Sequence, residues 1–271
     1  MSLLRSATQA SARRSTRSAT IARAGSAFWL AWLAGCGPAP VEAVSIANRS
    51  LAGGLVAHWA FDEQCGTTVA DGSGNGHDGQ LTGGTWVAAG RFAGGLRLQS
   101  GDTVAIPGFP EATPDWTVSV WIKLSAADRA AFTAERAVLL TAERPSMGGW
   151  EIEFDPRPGF EWLEASYFVA APTNDYVVLD CKCIETDQWM HWVATFDSTN
   201  HRFRLYHDGL LADASSLPAS ILPGDTNLYI GRWSQGGRSL SGVIDDYAIW
   251  SRALTGDEVA ALSASAVPNS L

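Results

Sequence analysis

An all-β sandwich of two sheets, with one short helix near the C-terminus, is the fold this sequence predicts. Three observations predict it. From residue 51 onward, short apolar runs alternate with Gly, Asp, Asn and Ser turns about every 8–12 residues. The strand–helix–strand alternation that builds a parallel sheet is missing. Only Ala253–Leu262 has helical character, and it comes last. Size and composition agree: 271 residues, 46% of them hydrophobic and 17% charged, exclude wholesale disorder. All-β domains reach roughly 200–250 residues, so one domain plus a leader accounts for the length.

The strands follow in order: Leu55–Phe61, Thr103–Ile106, Trp116–Leu124, Ala137–Thr141, Trp150–Asp155, Trp162–Val169, Trp189–Asp197, Arg202–His207, Leu228–Ile230 and Val243–Trp250. In Val118–Leu124 the apolar residues alternate with Ser119 and Lys123, as in a half-buried strand. Asp208-Gly209 between two apolar runs marks a tight hairpin, because both residues tolerate positive φ. Thr255 with Glu258 three residues later forms a capping box at the start of the helix.

The first fifty residues differ in kind. Arg5, Arg13, Arg14, Arg17 and Arg23 precede the apolar run Ala27–Ala34, and no acid occurs before it. That run is shorter than the ~20 apolar residues that span a bilayer, so it reads as an export signal. Leu33-Ala34-Gly35-Cys36 resembles the lipobox of bacterial lipoproteins. The resemblance implies cleavage before Cys36 and acylation of its thiol. Residues 1–35 are then a lipoprotein signal peptide, 36–50 a tether, 51–265 the folded domain and 266–271 a tail. Gly37 is not the acidic residue associated with inner-membrane retention, so an outer-membrane lipoprotein is expected.

Without the leader arginines, 14 basic residues face 28 acidic ones, and the net charge falls from −9 to −14. Only two lysines, Lys123 and Lys182, are present. No basic face for nucleic acid is expected. With Cys36 acylated, an exported chain favours a disulfide from Cys65 to either Cys181 or Cys183. A Cys181–Cys183 bridge closes a very tight ring and is the less favoured pairing.

Five blocks carry a family resemblance. Gly54–Glu63, the loop Asp71-Gly72-Ser73-Gly74-Asn75-Gly76-His77-Asp78-Gly79, Trp189–Asp197, Leu205–Gly209 and Gly242–Leu254 occur in that order. They resemble the laminin-G-like, concanavalin A-like domains of bacterial exported proteins. The resemblance implies an antiparallel jelly roll, often with one structural calcium. Asp62, Asn75, His77 and Asp245 are the candidate calcium ligands, His77 through its carbonyl, since calcium takes oxygens. Asp245 alternates with Tyr247 and Ile249, which points its carboxylate toward the apolar side. The alternative is a plain turn whose acids pair backbone amides.

Two further sets bear on function. Glu151, Glu153 and Asp155 share one strand face opposite Trp150, Ile152 and Phe154. They resemble the E-x-D-x-E strand of laminarinase-type glycoside hydrolases, in the altered order E-x-E-x-D. That order spoils the spacing of an acid and a nucleophile, so a solvated acidic face is the simpler reading. Trp162, Tyr167, Tyr176 and Trp233 fall in the less conventional stretches or near loops and are the candidate sugar-stacking aromatics. The expected function is non-catalytic binding of a glycan or other surface partner by a membrane-tethered module, with a lipid anchor as its only membrane contact. A jelly-roll glycosidase or lyase using Glu151 and Glu153, and a structural or adhesive envelope protein, are the alternatives.

Overall fold

The computed structural model describes residues 50–110, 115–132, 136–141, 149–155, 162–168, 176–216 and 227–267. Two eight-stranded antiparallel sheets make a jelly roll. The first runs β14 (Leu210–Ser216), β13 (Arg202–His207), β12 (Trp189–Asp197), β7 (Trp116–Lys123), β16 (Gly242–Trp250), β5 (Gly95–Leu98) and β4 (Thr85–Val87), with β1 (Leu55–Trp59) also paired to β16. The second runs β11 (Tyr176–Cys181), β10 (Trp162–Phe168), β9 (Trp150–Asp155), β8 (Ala137–Thr141), β15 (Leu228–Ile230), β6 (Thr103–Ile106), β3 (Gly79–Thr82) and β2 (Thr68–Val69).

Period-two alternation explains what faces inward. Trp116, Val118, Val120 and Ile122 of β7 enter the core, as do Met190, Trp192, Ala194 and Phe196 of β12. From the other sheet come Trp150, Ile152 and Phe154. Trp116 stacks on Trp150 with ring centroids 4.9 Å apart, which ties the two sheets directly. The expected strands are all present within a residue or two of their bounds. The short, glycine-bounded β2 to β5, with β11 and β14, are additions that propensity alone did not mark.

A second apolar layer covers part of the first sheet's outer face. Val259 and Leu262 of α2 (Gly256–Leu262) pack with Val193, Tyr206, Trp250 and Leu51. Trp250 Nε1 donates to Leu51 O at 2.6 Å. The Thr255–Glu258 capping box forms as expected. Burial opposes the Glu258 charge, but hydrogen bonds from Arg252, Ser50 and Thr255 hold its carboxyl down to about 2. Val267, in the stretch read as a tail, is buried in this layer and donates its N–H to Asp246. The expectation of a single helical segment needs correction, since α1 (Ala126–Ala131) precedes β8. Its signal was a second capping box, Ser125 with Asp128, and Arg97 pairs with that aspartate.

Candidate functional site

The glycine-rich loop after β1 is organised by an acid outside the expected ligand set. Asp71 accepts from the backbone N–H groups of His58, Ser73 and His77 and from the Ser73 hydroxyl, all at 2.8–2.9 Å. Gly74 and Gly76 take φ of 83° and 81°, which lets the chain fold back over this carboxylate. Asn75 Nδ2 donates to the Leu55 and Val56 carbonyls, and the His77 carbonyl accepts from Trp59 Nε1. Asn75 presents donors to the strand, and the His77 carbonyl is engaged by the Trp59 ring. Asp71 is an acid that pairs backbone amides, the arrangement that the plain-turn alternative describes.

Asp62 and Asp245 are brought to one place, the loop between β4 and β5. Asp245 Oδ2 accepts from the Arg91 and Phe92 N–H groups at 2.6 and 3.0 Å, and Asp62 Oδ1 accepts from Gly94 N–H at 2.6 Å. A Cβ added at Gly90 would strike the Gly94 backbone carbonyl and then Asp245 Oδ2 at 2.8 Å, and one added at Gly94 would strike Gln64 Nε2 and then Phe61 O at 2.8 Å. The two glycines therefore let the loop close tightly against both acids. Burial pushes the Asp245 carboxyl up to about 7, with the charges of Asp246 and Asp62 adding to the rise. Hard oxygens short of a positive counter-charge fit a calcium ion. No cluster of three His, Cys, Asp or Glu groups that could hold a metal occurs among the described residues, so backbone carbonyls complete any such site.

The side on which Asp245 lies is a correction. Ile244 and Tyr247 both face the core, so Asp245 points the other way. A bulge inserts Asp246, at φ 50°, between them and restores the inward face at Tyr247. Asp245 is thus registered opposite Trp121 on the outer face of the first sheet.

The acidic strand is not a solvated face. Glu151 is 7% exposed and Glu153 and Asp155 are fully buried. Arg238 pairs with Glu151 and Glu153, and Arg136 with Glu153, Asp155 and Glu164. Burial raises the Glu153 carboxyl although both arginines pull it down. Burial also works against the Arg136 charge, yet Glu153, Glu164 and Asp155 outweigh it and raise that pKa. The carboxylate-rich surroundings hold Arg136 charged, and the cluster is an ion-pair network. A glycosidase needs an acid and a nucleophile facing an open cleft about 5–5.5 Å apart, and here Arg238 bridges the two glutamates instead.

Of the candidate aromatics, Trp162, Tyr167 and Tyr176 have described backbone in β10 and β11, but their side chains lie outside the described set. Trp233 is half-buried, with the Arg238 guanidinium 5.4 Å from its ring. An open pocket among the described residues lies elsewhere, on the outer face of the first sheet. It measures about 410 Å³ and is lined by Arg91, Trp121, Trp189, Asp208 and Ser263. The sequence reading did not single out this set. The overlooked signal was parity: Trp121 shares its strand face with Ser119 and Lys123.

Each wall has a local cause. Trp121 lies under the Arg91 guanidinium, 4.3 Å from its centroid, with the Phe92 ring edge-on at 5.8 Å and the His191 ring stacked at 4.7 Å. Asp208 and Gly209 adopt the expected positive-φ turn, and Asp208 accepts the His191 N–H at 2.8 Å. A side chain at Gly209 would strike Ala260 and Ser263, so glycine is what lets α2 bring Ser263 to the pocket rim.

His191 donates to or accepts from Ser119 Oγ at 2.8 Å and is buried. Burial, then the charges of His207 and Arg91, lowers its pKa from 6.5 to about 3. Below pH 6.5 the unfolded chain takes up a proton that the folded chain refuses, so stability falls as pH falls. By pH 5 this histidine alone costs ~2 kcal/mol. Urea unfolding at pH 7 and pH 5 should show that loss, and His191→Gln should lack it. An equal loss in both proteins assigns the acid sensitivity to other groups.

Cys181 and Cys183 lie side by side, Cα atoms 5.3 Å apart, within bridging distance. The end of β11 doubles back at once, which brings together two residues that spacing alone disfavoured.

A family model for the concanavalin A-like lectin/glucanases superfamily matches residues 98–260. Comparison with curated proteins finds no match. Among solved structures, the ligand binding domain of botulinum neurotoxin serotype D in complex with N-acetylneuraminic acid is similar at TM-score 0.60 and 15% identity, over 80% of this chain and 52% of that one. The binding domain of Paraclostridial Mosquitocidal Protein 1 gives 0.62 and 18%, over 79% and 52%. Domain 4 of AbnA, a GH43 extracellular arabinanase from Geobacillus stearothermophilus in complex with arabinotriose, gives 0.57 and 22%, over 77% and 98%. The chain spans about half the length of the toxin domains. At these identities the likeness establishes the fold.

Proposed function

The chain belongs to the concanavalin A-like lectin/glucanases superfamily, and from that premise we propose that it is a non-catalytic glycan-binding module. The observation that carries the reading is the Trp121–Trp189 pocket. Two indole rings, a guanidinium, a carboxylate and a hydroxyl converge on a space of sugar size. A half-buried indole such as Trp189 stacks on a pyranose face, and the polar groups exchange hydrogen bonds with its hydroxyls. The net gain is small, because each such bond replaces one to water. Micromolar to millimolar affinity follows, strengthened by display of many copies on a membrane. Two of the similar domains are complexes with sugars, which supports the same reading.

Anchorage through an acylated Cys36, with the outer membrane as destination, belongs to this proposal and rests on the Leu33–Cys36 motif. Cys36→Ala should abolish acyl labelling and release the domain from membranes. The test of binding is a glycan array with the mature domain, read alongside reducing-sugar release. Trp189→Ala should reduce binding about tenfold, a stacking loss of ~1–3 kcal/mol by analogy with bases. Polysaccharide turnover that vanishes in Glu151→Gln would reverse the assignment to a non-enzyme.

Calcium between Asp62 and Asp245 is part of the same proposal, its role being to neutralise one half-buried and one buried carboxylate. Millimolar calcium should then raise the melting temperature, because a ligand of the folded state alone stabilises by RT ln(1 + [L]/Kd). Asp62→Asn should remove that increment whatever it does to the baseline. A melting curve indifferent to chelator rejects the ion.

A further inference from the structure

Resting on the glycan-binding reading, we infer that the pocket on the outer face of the first sheet selects carboxylated sugars, with Arg91 as the residue that takes the carboxylate. The charges lining the pocket are Arg91 and Asp208. Asp208 is already engaged: one oxygen accepts the His191 N–H and the other lies 3.5 Å from His207 Nε2. Arg91 is engaged only through its π faces. Its guanidinium covers Trp121 and Phe92 at 4.3 and 4.9 Å, and it makes no ion pair or side-chain hydrogen bond to any described residue. His191, stacked behind Trp121, stays neutral down to about pH 3 and supplies no competing charge, and the Asp245 carboxylate opposite Trp121 is taken up by the Arg91 and Phe92 backbone N–H groups.

A guanidinium laid flat on an indole keeps its in-plane N–H fork free, and that fork matches a carboxylate in bidentate fashion. The backbone beneath it is fixed, because the Arg91 and Phe92 N–H groups are tied to Asp245. The arginine therefore gives up little freedom when it binds. In a chain with 28 acidic and 19 basic residues, an unpaired cation in a concave site is also the feature that repels anions least. A uronic or other acidic sugar would place its ring on Trp189 and its carboxylate on Arg91.

The experiment compares short galacturonate oligomers with the same oligomers as methyl esters, and sialyllactose with lactose, by calorimetry on the mature domain. Esterification removes the charge and keeps the ring. At least one acidic sugar should bind about tenfold or more tightly than its neutral partner, with an advantage that shrinks at high salt. Arg91→Gln should erase the difference between each acidic sugar and its neutral partner while leaving the melting temperature in place. Arg91→Lys should keep part of it. Equal binding of acid and neutral forms, still lost in Trp189→Ala, overturns the acidic selectivity and leaves the glycan reading standing. No binding by any of the four overturns both.

Discussion

Replacing Arg238 with methionine is expected to destabilise the domain by ~3–5 kcal/mol, because it strands Glu153 as a buried carboxylate with half its compensation gone. For a domain of this size that corresponds to a fall in melting temperature of roughly 10 °C. Thermal and urea unfolding measure it. Adding Glu153→Gln to the same chain should recover part of the loss, since the stranded charge goes with it. A loss below ~1 kcal/mol would mean that water enters the cluster and screens it as it does surface pairs. The result also bears on chemistry, because a network that the fold depends on is a poor place for an acid that must gain and lose a proton at each turnover.

Asp71→Ala should cost ~3 kcal/mol, the next largest effect. Four donors converge on this carboxylate, and bonds to a charged acceptor contribute ~1.5–3 kcal/mol each when measured singly but less when shared. Those bonds, although opposed by burial, lower the Asp71 pKa. Its contribution is therefore present above the ordinary carboxylate value of 3.8 and is lost as pH falls below it. Urea midpoints of the two proteins give the difference. Calcium should not restore the variant, because the loop is closed by backbone N–H groups that no cation can replace. Restoration by calcium would return Asn75 and His77 to the list of ligands.

The strands were legible because burial on one face imposes a period of two, and Val118–Leu124 displays it openly. The same period misled at Asp245. Counting back from Tyr247 places Asp245 on the core side, and only the left-handed backbone at Asp246 reverses this. A bulge of one residue leaves no mark in hydropathy. The loop Asp71–His77 was legible as a turn, but not the direction of its bonds, which depends on where His58 and Trp59 present their N–H groups. Trp121 could have been placed from its polar neighbours Ser119 and Lys123. Arg91 could not, since it lies between two very short strands whose glycine-rich bounds carry no periodic signal.

The segment from Gly90 to Gly94 is moored near both ends by carboxylates and delivers Arg91 onto Trp121 at its middle. An ion beside Asp62 and Asp245 and an anion beside Arg91 would thus act on opposite sides of one short strap. If the ion sharpens the hold on the anion by some factor, the anion must sharpen the hold on the ion by that same factor. Titrating either one in the presence of the other would read a single coupling free energy from two directions. A sugar-bound domain would then surrender its calcium to chelator more slowly than a free one.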